Sequence, residues 1–172
     1  MARNIEIKAR IASVASVAAR AAAFADSGPI EIAQDDTFFE CSSGRLKLRA
    51  FADNTGELIF YRRANEHGPK ESFYLRTPTP APDTLRQSLT LAYGEVGRVR
   101  KQRTLFLAGR TRIHLDEVQH LGAFLELEVV LQEGEPAQNG VLEAEALMAR
   151  LGVESSQLID RAYVDLLGEL QE

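Results

Sequence analysis

The chain has 172 residues, 45% hydrophobic and 26% charged, with a formal net charge of −5. This is enough for one globular domain with its own core, and the acidic balance argues against a general affinity for nucleic acid or anionic membrane. No run of about eighteen apolar residues or apolar leader is found, so no membrane span or secretory signal is expected; the single cysteine, Cys41, leaves no internal disulfide, and the expected location is cytoplasmic.

The first predicted element is a strand. In "NIEIKARI", Asn4, Glu6, Lys8 and Arg10 share one face, and Ile5, Ile7 and Ile11 the other. The alanine-rich "SVASVAARAAAFADSG" predicts a helix stopped at Gly28. "RLKLR" then puts Arg45, Lys47 and Arg49 on one face of a strand and Leu46 and Leu48 on the other. "ELIFYRR" is an apolar strand ending in cations, and "TPTPAP" over residues 77–82 reads as an extended, rigid connector. "DTLRQSLTLAYG" predicts a helix with Asp83 as N-cap and Gly94 after its end.

Three more strands follow. "GRVRKQRTLFL" carries Lys101 and Arg103 on one face. "GRTRIHLDEV" aligns Arg110, Arg112, His114 and Asp116 opposite Ile113 and Leu115. "FLELEVVL" aligns Glu126 and Glu128 opposite Leu125, Leu127, Val129 and Leu131. A helix capped at Asn139 and closed at Gly152, and a final amphipathic helix over "ESSQLIDRAYVDLLGEL", complete one α+β domain spanning 1–172.

Any one alternating strand fits a sheet with a solvated charged face. Here the signs are sorted by strand: cations on three, carboxylates on the last. If the sheet curls into a barrel with these faces inward, the lumen holds cations and carboxylates together. Such burial is costly unless the charges are paired or bind ions. A metal-bound polyphosphate would satisfy both signs.

At these residues the sequence resembles the CYTH family of triphosphate tunnel enzymes, and within it the class IV adenylyl cyclase-like branch. The resemblance rests on "NIEIKAR", "QDDTFFECSSGRLKLR", "ELIFYRR", "GRVRKQRTLF" and "GRTRIHLDEVQHLGAFLELE", in that order. The family signature Glu-x-Glu-x-Lys reads Asn4-Ile5-Glu6-Ile7-Lys8 here, with an amide in place of the first acid.

The resemblance implies a closed eight-stranded antiparallel β-barrel with helices packed outside. It implies that Lys8, Arg45, Lys47, Arg49, Arg62, Lys101, Arg103, Arg110 and Arg112 face the phosphates, with Arg62 preferred over Arg63. Glu6, Glu126 and Glu128 would hold Mg2+ or Mn2+, and Glu6, Lys8, Lys101 and Arg112 would carry the chemistry. The implied activity is conversion of ATP to 3′,5′-cyclic AMP and pyrophosphate. The alternatives are an inorganic, nucleoside or thiamine triphosphatase and a non-catalytic binding module for triphosphate or cyclic nucleotide. The expected partner is a nucleoside triphosphate or another polyphosphate, with a homodimer as a further option.

Among the remaining residues, His114 is expected to be a structural histidine bonded to Asp116. His67 and His120 belong to turns. Gln34, Asp35 and Asp36 lie either near the tunnel mouth or in a loop before a strand. The C-terminal helices are expected to pack on the barrel rather than take part in chemistry.

Overall fold

A computed structural model describes residues 2–172; Met1, counted in the expected 1–172 domain, lies outside the described residues. Eight antiparallel strands close into a barrel in the order β1-β5-β4-β3-β2-β6-β7-β8. They are β1 (Ala2–Arg10), β2 (Ser27–Phe39), β3 (Arg45–Phe51), β4 (Gly56–Arg63), β5 (Lys70–Thr79), β6 (Glu95–Ala108), β7 (Thr111–Val118) and β8 (Gly122–Val130). Four α-helices accompany them: α1 (Val14–Ala22), α2 (Pro82–Tyr93), α3 (Ala137–Arg150) and α4 (Tyr163–Glu169). The expected fold class is the observed one. No described helix is long and apolar enough to cross a membrane.

The barrel is inverted relative to an ordinary half-solvated sheet. The apolar faces of β1, β7 and β8 point outward, where α1 and α3 cover them. Ile5, Ile7, Ile113, Leu115, Leu125, Leu127 and Val129 are each at most 1% exposed and form one cluster with Ala144, Leu147 and Leu151. Burying each large side chain contributes about 1.5–3 kcal/mol. Gly140 allows α3 to approach β1 closely, because a Cβ there would lie 2.6 Å from Cγ1 of Ile5. The polar faces have nowhere to go but the lumen.

Four local expectations change. α1 is capped by Ser13, which accepts from the Ser16 amide, but it ends at Ala23 rather than running to Gly28. Strand β2 begins at Ser27, and Gly28 falls in the irregularity of its ladder to β6 between Ser27 and Ile30. The segment 77–79, read as a connector, is the end of β5, with Pro78 opposite Glu57. β1 pairs with β5 only from Lys70 to Tyr74, so Pro78 has a neighbour strand on one side alone, where a missing N–H is tolerated. α2 starts one residue earlier than expected, at Pro82, leaving Asp83 in its first turn, and α3 starts at Ala137, two residues before Asn139.

The expected last helix is broken. A 3-10 turn at Ser155–Gln157 is followed by extended chain, in which Leu158 bridges Ala9 and the Ile159 amide donates to the Lys8 carbonyl. Pairing with the exposed end of β1 outcompetes the helix there, and only Tyr163–Glu169 is helical.

Candidate active site: a charged tunnel

Strand alternation decides which side chains enter the lumen. Even-numbered residues of β1, β2, β5, β7 and β8 and odd-numbered residues of β3, β4 and β6 line a cavity of about 200 Å³. Eight cations line it: Lys8, Lys47, Arg49, Arg63, Arg76, Lys101, Arg103 and Arg112. Glu6, Asp36, Glu126 and Glu128 line it with them.

One wall, β3-β2-β6-β7, is neutralised from within. Asp36 takes both Nε and Nη2 of Arg49 at 2.8 Å, and Nζ of Lys47 at 3.1 Å. Asp116 takes Nε and Nη2 of Arg103 at 2.7 and 2.8 Å, and the Tyr163 hydroxyl at 3.0 Å. Lys101 sits between the two acids, 3.8 Å from each. Both acids are at most 1% exposed. Burial alone would raise their pKa values, but the surrounding cations hold both carboxyls below the usual range. Burial, with Arg49 alongside, pushes the Lys47 ammonium down to about 8; burial and Arg103 push Lys101 well below its usual value.

One end of this wall is plugged by the C-terminal segment. Ala162 and Tyr163 reach the lumen and pack with Phe38, Val99 and Phe124. The Tyr163 ring lies 4.0 Å from Nζ of Lys8 and 5.0 Å from Nζ of Lys101. Asp165 of α4 grips Arg45 with two hydrogen bonds, at 3.1 and 2.6 Å. Arg45 has the inward parity of Lys47 and Arg49, but it belongs to this plug rather than to the cavity lining.

The opposite wall, β1-β5-β4, is not satisfied. Arg63 gives Nη1 to Glu6 at 2.5 Å, while its Nε and Nη2 are buried without a partner. Asn4 Oδ1 is also buried and unpartnered. The two flank Ser72, which pairs with Arg63 on one side and Asn4 on the other. Burial, reinforced by Glu126 and Glu128, raises the Glu6 carboxyl despite Arg63.

Between the walls, β7 and β8 bring His114, Glu126 and Glu128 together. One ligand atom from each lies within 4.8 Å of the others. Nδ1 of His114 is 3.3 Å from Oε1 of Glu126, and Nζ of Lys8 is 3.3 Å from its Oε2. Arg112 donates Nε and Nη2 to Oε2 of Glu128, at 2.8 and 2.6 Å. Burial and the nearby Arg103 push the His114 imidazole below its ordinary value, which favours the neutral ring. Two carboxylates and a neutral imidazole are a donor set that fits a divalent cation.

The structure thus brings Lys8, Lys47, Arg49, Lys101, Arg103, Arg112, Glu6, Glu126 and Glu128 together in one lumen. It does not bring Arg62 or Arg110 there. Arg62 points outward, donates Nε to the Ser43 carbonyl and stacks on Phe60; the lumenal cation of that strand is Arg63. Arg110 lies in the β6–β7 turn, past the barrel rim, and pairs with Glu135 and Glu143. Glu6, expected as a third metal ligand, is held by Arg63, and the three-ligand cluster contains His114 in its stead. His114 does not bond Asp116: residues two apart on a strand stand farther apart than cross-strand partners, and Glu126 is the partner across the ladder. His67 instead meets Asp160, and His120 is a turn residue with φ of 70°.

Asp36, expected near the tunnel mouth or in a loop before a strand, lies within β2 on the lumen wall, and Tyr163, expected on a helix packed outside, reaches the lumen. Asp36 shares the inward parity of Gln34 and Phe38, a signal present in "QDDTFF". Tyr163 carries no local signal at all.

The sequence matches the CYTH domain family over residues 2–163. The chain belongs to the CYTH family. Similar solved structures include the PH1012 protein from Pyrococcus horikoshii OT3, at 19% identity and TM-score 0.83, covering 95% of this chain and 98% of that one. An adenylate cyclase candidate from Vibrio parahaemolyticus aligns at 16% identity and TM-score 0.76, covering 96% of this chain and 97% of that one. An adenylyl cyclase candidate from Hippeastrum, described as having a dominant triphosphatase activity, aligns at 15% identity and TM-score 0.67, covering 98% of this chain and 96% of that one. No curated protein matches the sequence. At these identities the structural likeness establishes the fold and not the reaction.

Proposed function

We propose that this CYTH domain is a metal-dependent enzyme that binds a nucleoside triphosphate in the tunnel and cleaves it between the α- and β-phosphates, forming 3′,5′-cyclic AMP from ATP. The observation that carries this reading is the order of groups along the tunnel. Lys8, Lys47 and Lys101 stand at the Tyr163 end, while Arg112 and Glu128 lie toward the other end. A triphosphate entering terminal phosphate first puts its β- and γ-phosphates among the lysines and its α-phosphate beside the carboxylates.

Charge supports a metal-bound ligand. Counting Asp116 beneath Arg103 and Glu57 on Arg76 with the lining residues, the lumen has eight cations and six carboxylates, an excess of two positive charges. A nucleoside triphosphate carries about four negative charges, reduced to about two by one dication. The match is to the metal complex, not to the free polyanion.

Each chain residue has a task on this reading. Lys47, Arg49, Lys101 and Arg103 are prepositioned by Asp36 and Asp116 to take the charge that grows on the departing pyrophosphate. Arg63 offers its free Nε/Nη2 edge, which matches two phosphate oxygens. Arg112 steers the α-phosphoryl group against Glu128. Glu6, whose proton affinity burial raises, receives the proton of the ribose 3′-hydroxyl. Glu126 and Glu128 of β8 would hold a dication, which would supply Lewis acidity to the phosphoryl transfer. The plug of Tyr163 excludes water behind the terminal phosphate.

A second reading, hydrolysis at the terminal phosphate, is favoured by the small cavity, since about 200 Å³ is below the ~300–1,000 Å³ typical of pockets that enclose drug-sized ligands. Incubation with ATP, GTP, thiamine triphosphate and tripolyphosphate, each with Mg2+ or Mn2+, and chromatography of the products tests both. Cyclic AMP with pyrophosphate supports the first reading, orthophosphate replaces it with the second, and micromolar binding without turnover leaves a binding module.

A further inference from the structure

His114 is buried, 5% exposed, on the inner wall, and it faces Glu126 across the β7–β8 ladder. Asp116, two residues along the same face, is bonded instead to Arg103 and Tyr163. The other polar groups near the ring are the two glutamates and Arg103, whose Nη2 is 3.8 Å from Oε1 of Glu126; a donor atom of each glutamate lies within 4.8 Å of a ring nitrogen and of the other. Metal–ligand bonds of about 2.0–2.3 Å put ligand atoms on adjacent corners of one ion roughly 2.8–3.8 Å apart, so these three groups stand close enough for modest side-chain shifts to bring them onto one ion.

We propose that His114 is a ligand, together with Glu126 and Glu128, of the divalent ion that accompanies the triphosphate, and that its nitrogen makes this tunnel select a first-row transition ion of the Mn2+, Co2+ or Zn2+ class over Mg2+. The chemical ground is ligand preference. Mg2+ is hard, retains water and takes oxygen donors, whereas imidazole suits the transition ions, whose affinities for such a site rise along the series from Mn2+. Lys8 and Arg112 now contact the two glutamates, and both are cations that phosphate oxygens can draw away as the ion arrives. The inference rests on the triphosphate reading.

The test uses the whole protein with excess tripolyphosphate and substoichiometric Mn2+, observed by electron spin echo modulation. Expected are a 31P coupling from the phosphates and a 14N coupling from a directly bound imidazole. His114→Gln should remove the 14N coupling and keep the 31P coupling. By competition titration, Mn2+ should bind the wild-type complex at least about tenfold more tightly than Mg2+, and the substitution should close most of that gap. A 31P coupling without 14N in the wild type overturns the proposal and leaves the triphosphate site standing; His114 is then only a hydrogen-bond partner of Glu126. Tripolyphosphate that fails to bind at all, measured separately by calorimetry with saturating Mg2+ or Mn2+, overturns the underlying reading instead. The wild-type spectrum decides the matter even if the variant does not fold.

Discussion

The two walls of the tunnel solve the problem of buried charge in opposite ways. On β3-β2-β6-β7, four cations are held by Asp36 and Asp116 in geometries of 2.7–3.8 Å. On β1-β5-β4, the free edge of Arg63 and the oxygen of Asn4 are buried without partners, whereas on the first wall only the uncharged amide oxygen of Gln34 is so among the described residues. The first wall keeps the empty protein folded; the second keeps donors unspent for a ligand. An unpartnered buried polar group costs about 1–3 kcal/mol, so the second wall is where the fold gives up stability.

The largest effect should come from breaking the satisfied wall. Asp36→Ala leaves Lys47, Arg49 and Lys101 facing one another without their shared anion, and should destabilise the empty protein by about 3–5 kcal/mol in urea titrations. Tripolyphosphate, which replaces the lost carboxylate, should recover more stability in this variant than in the wild type. Equal rescue of both proteins would mean that Asp36 does not compete with the ligand for those cations.

Next is the unsatisfied wall. Arg63→Ala should weaken tripolyphosphate binding by about 1.5–3 kcal/mol, the cost of one charge-assisted contact, while Arg62→Ala should leave it within about threefold. Calorimetry on the pair tests the inward assignment of β4, and the reverse ranking would shift that strand by one residue.

A smaller effect is one of pH. In the unfolded chain Lys47 keeps its proton up to its ordinary value of 10.5, but in the empty tunnel only to about 8. Between those values the unfolded chain binds the proton and the folded one does not, so this group makes stability rise with pH across that window. A bound polyanion restores the ammonium. Triphosphate affinity should therefore fall as pH rises through about 8, with net proton uptake on binding at pH 8 to 9, read from calorimetry in buffers of different ionisation enthalpy. Proton release there would contradict the Lys47 assignment.

The smallest effect should be at Asn4. Asn4→Ala removes a buried oxygen that has no partner, so the empty protein should change by less than about 1 kcal/mol, in either direction. Asn4→Glu adds a carboxylate next to Glu6 and near Glu128, and should tighten metal binding if the ion reaches that side of the lumen. Unchanged metal affinity would confine the ion to the β7–β8 side, where His114 stands.

Much of the barrel was legible in the alternation. "RLKLR", "GRTRIHLDEV" and "FLELEVVL" each have one apolar face and one charged face, so their inward residues followed once closure was assumed. β4 was not legible in the same way. Leu58 and Phe60 on one face and Ile59 and Tyr61 on the other are equally apolar, so nothing local separated Arg62 from Arg63. Arg110 had the right parity but sat at a turn, where the pleat ends and parity no longer decides direction. β5 was obscured by Pro78, which is tolerable only because β1 is too short to reach it.

By itself, the sequence determined which face of most strands is charged and which is apolar, and the order of motifs that marks a CYTH tunnel, because side-chain period and charge are properties of neighbours along the chain. Only the tertiary structure decided how the charges pair. Asp36 with Arg49, Asp116 with Arg103 and Tyr163, and His114 with Glu126 meet across ladders and across 12 to 47 positions of sequence. Their register and the docking of the C-terminal segment are set by barrel closure, and no local period encodes either one.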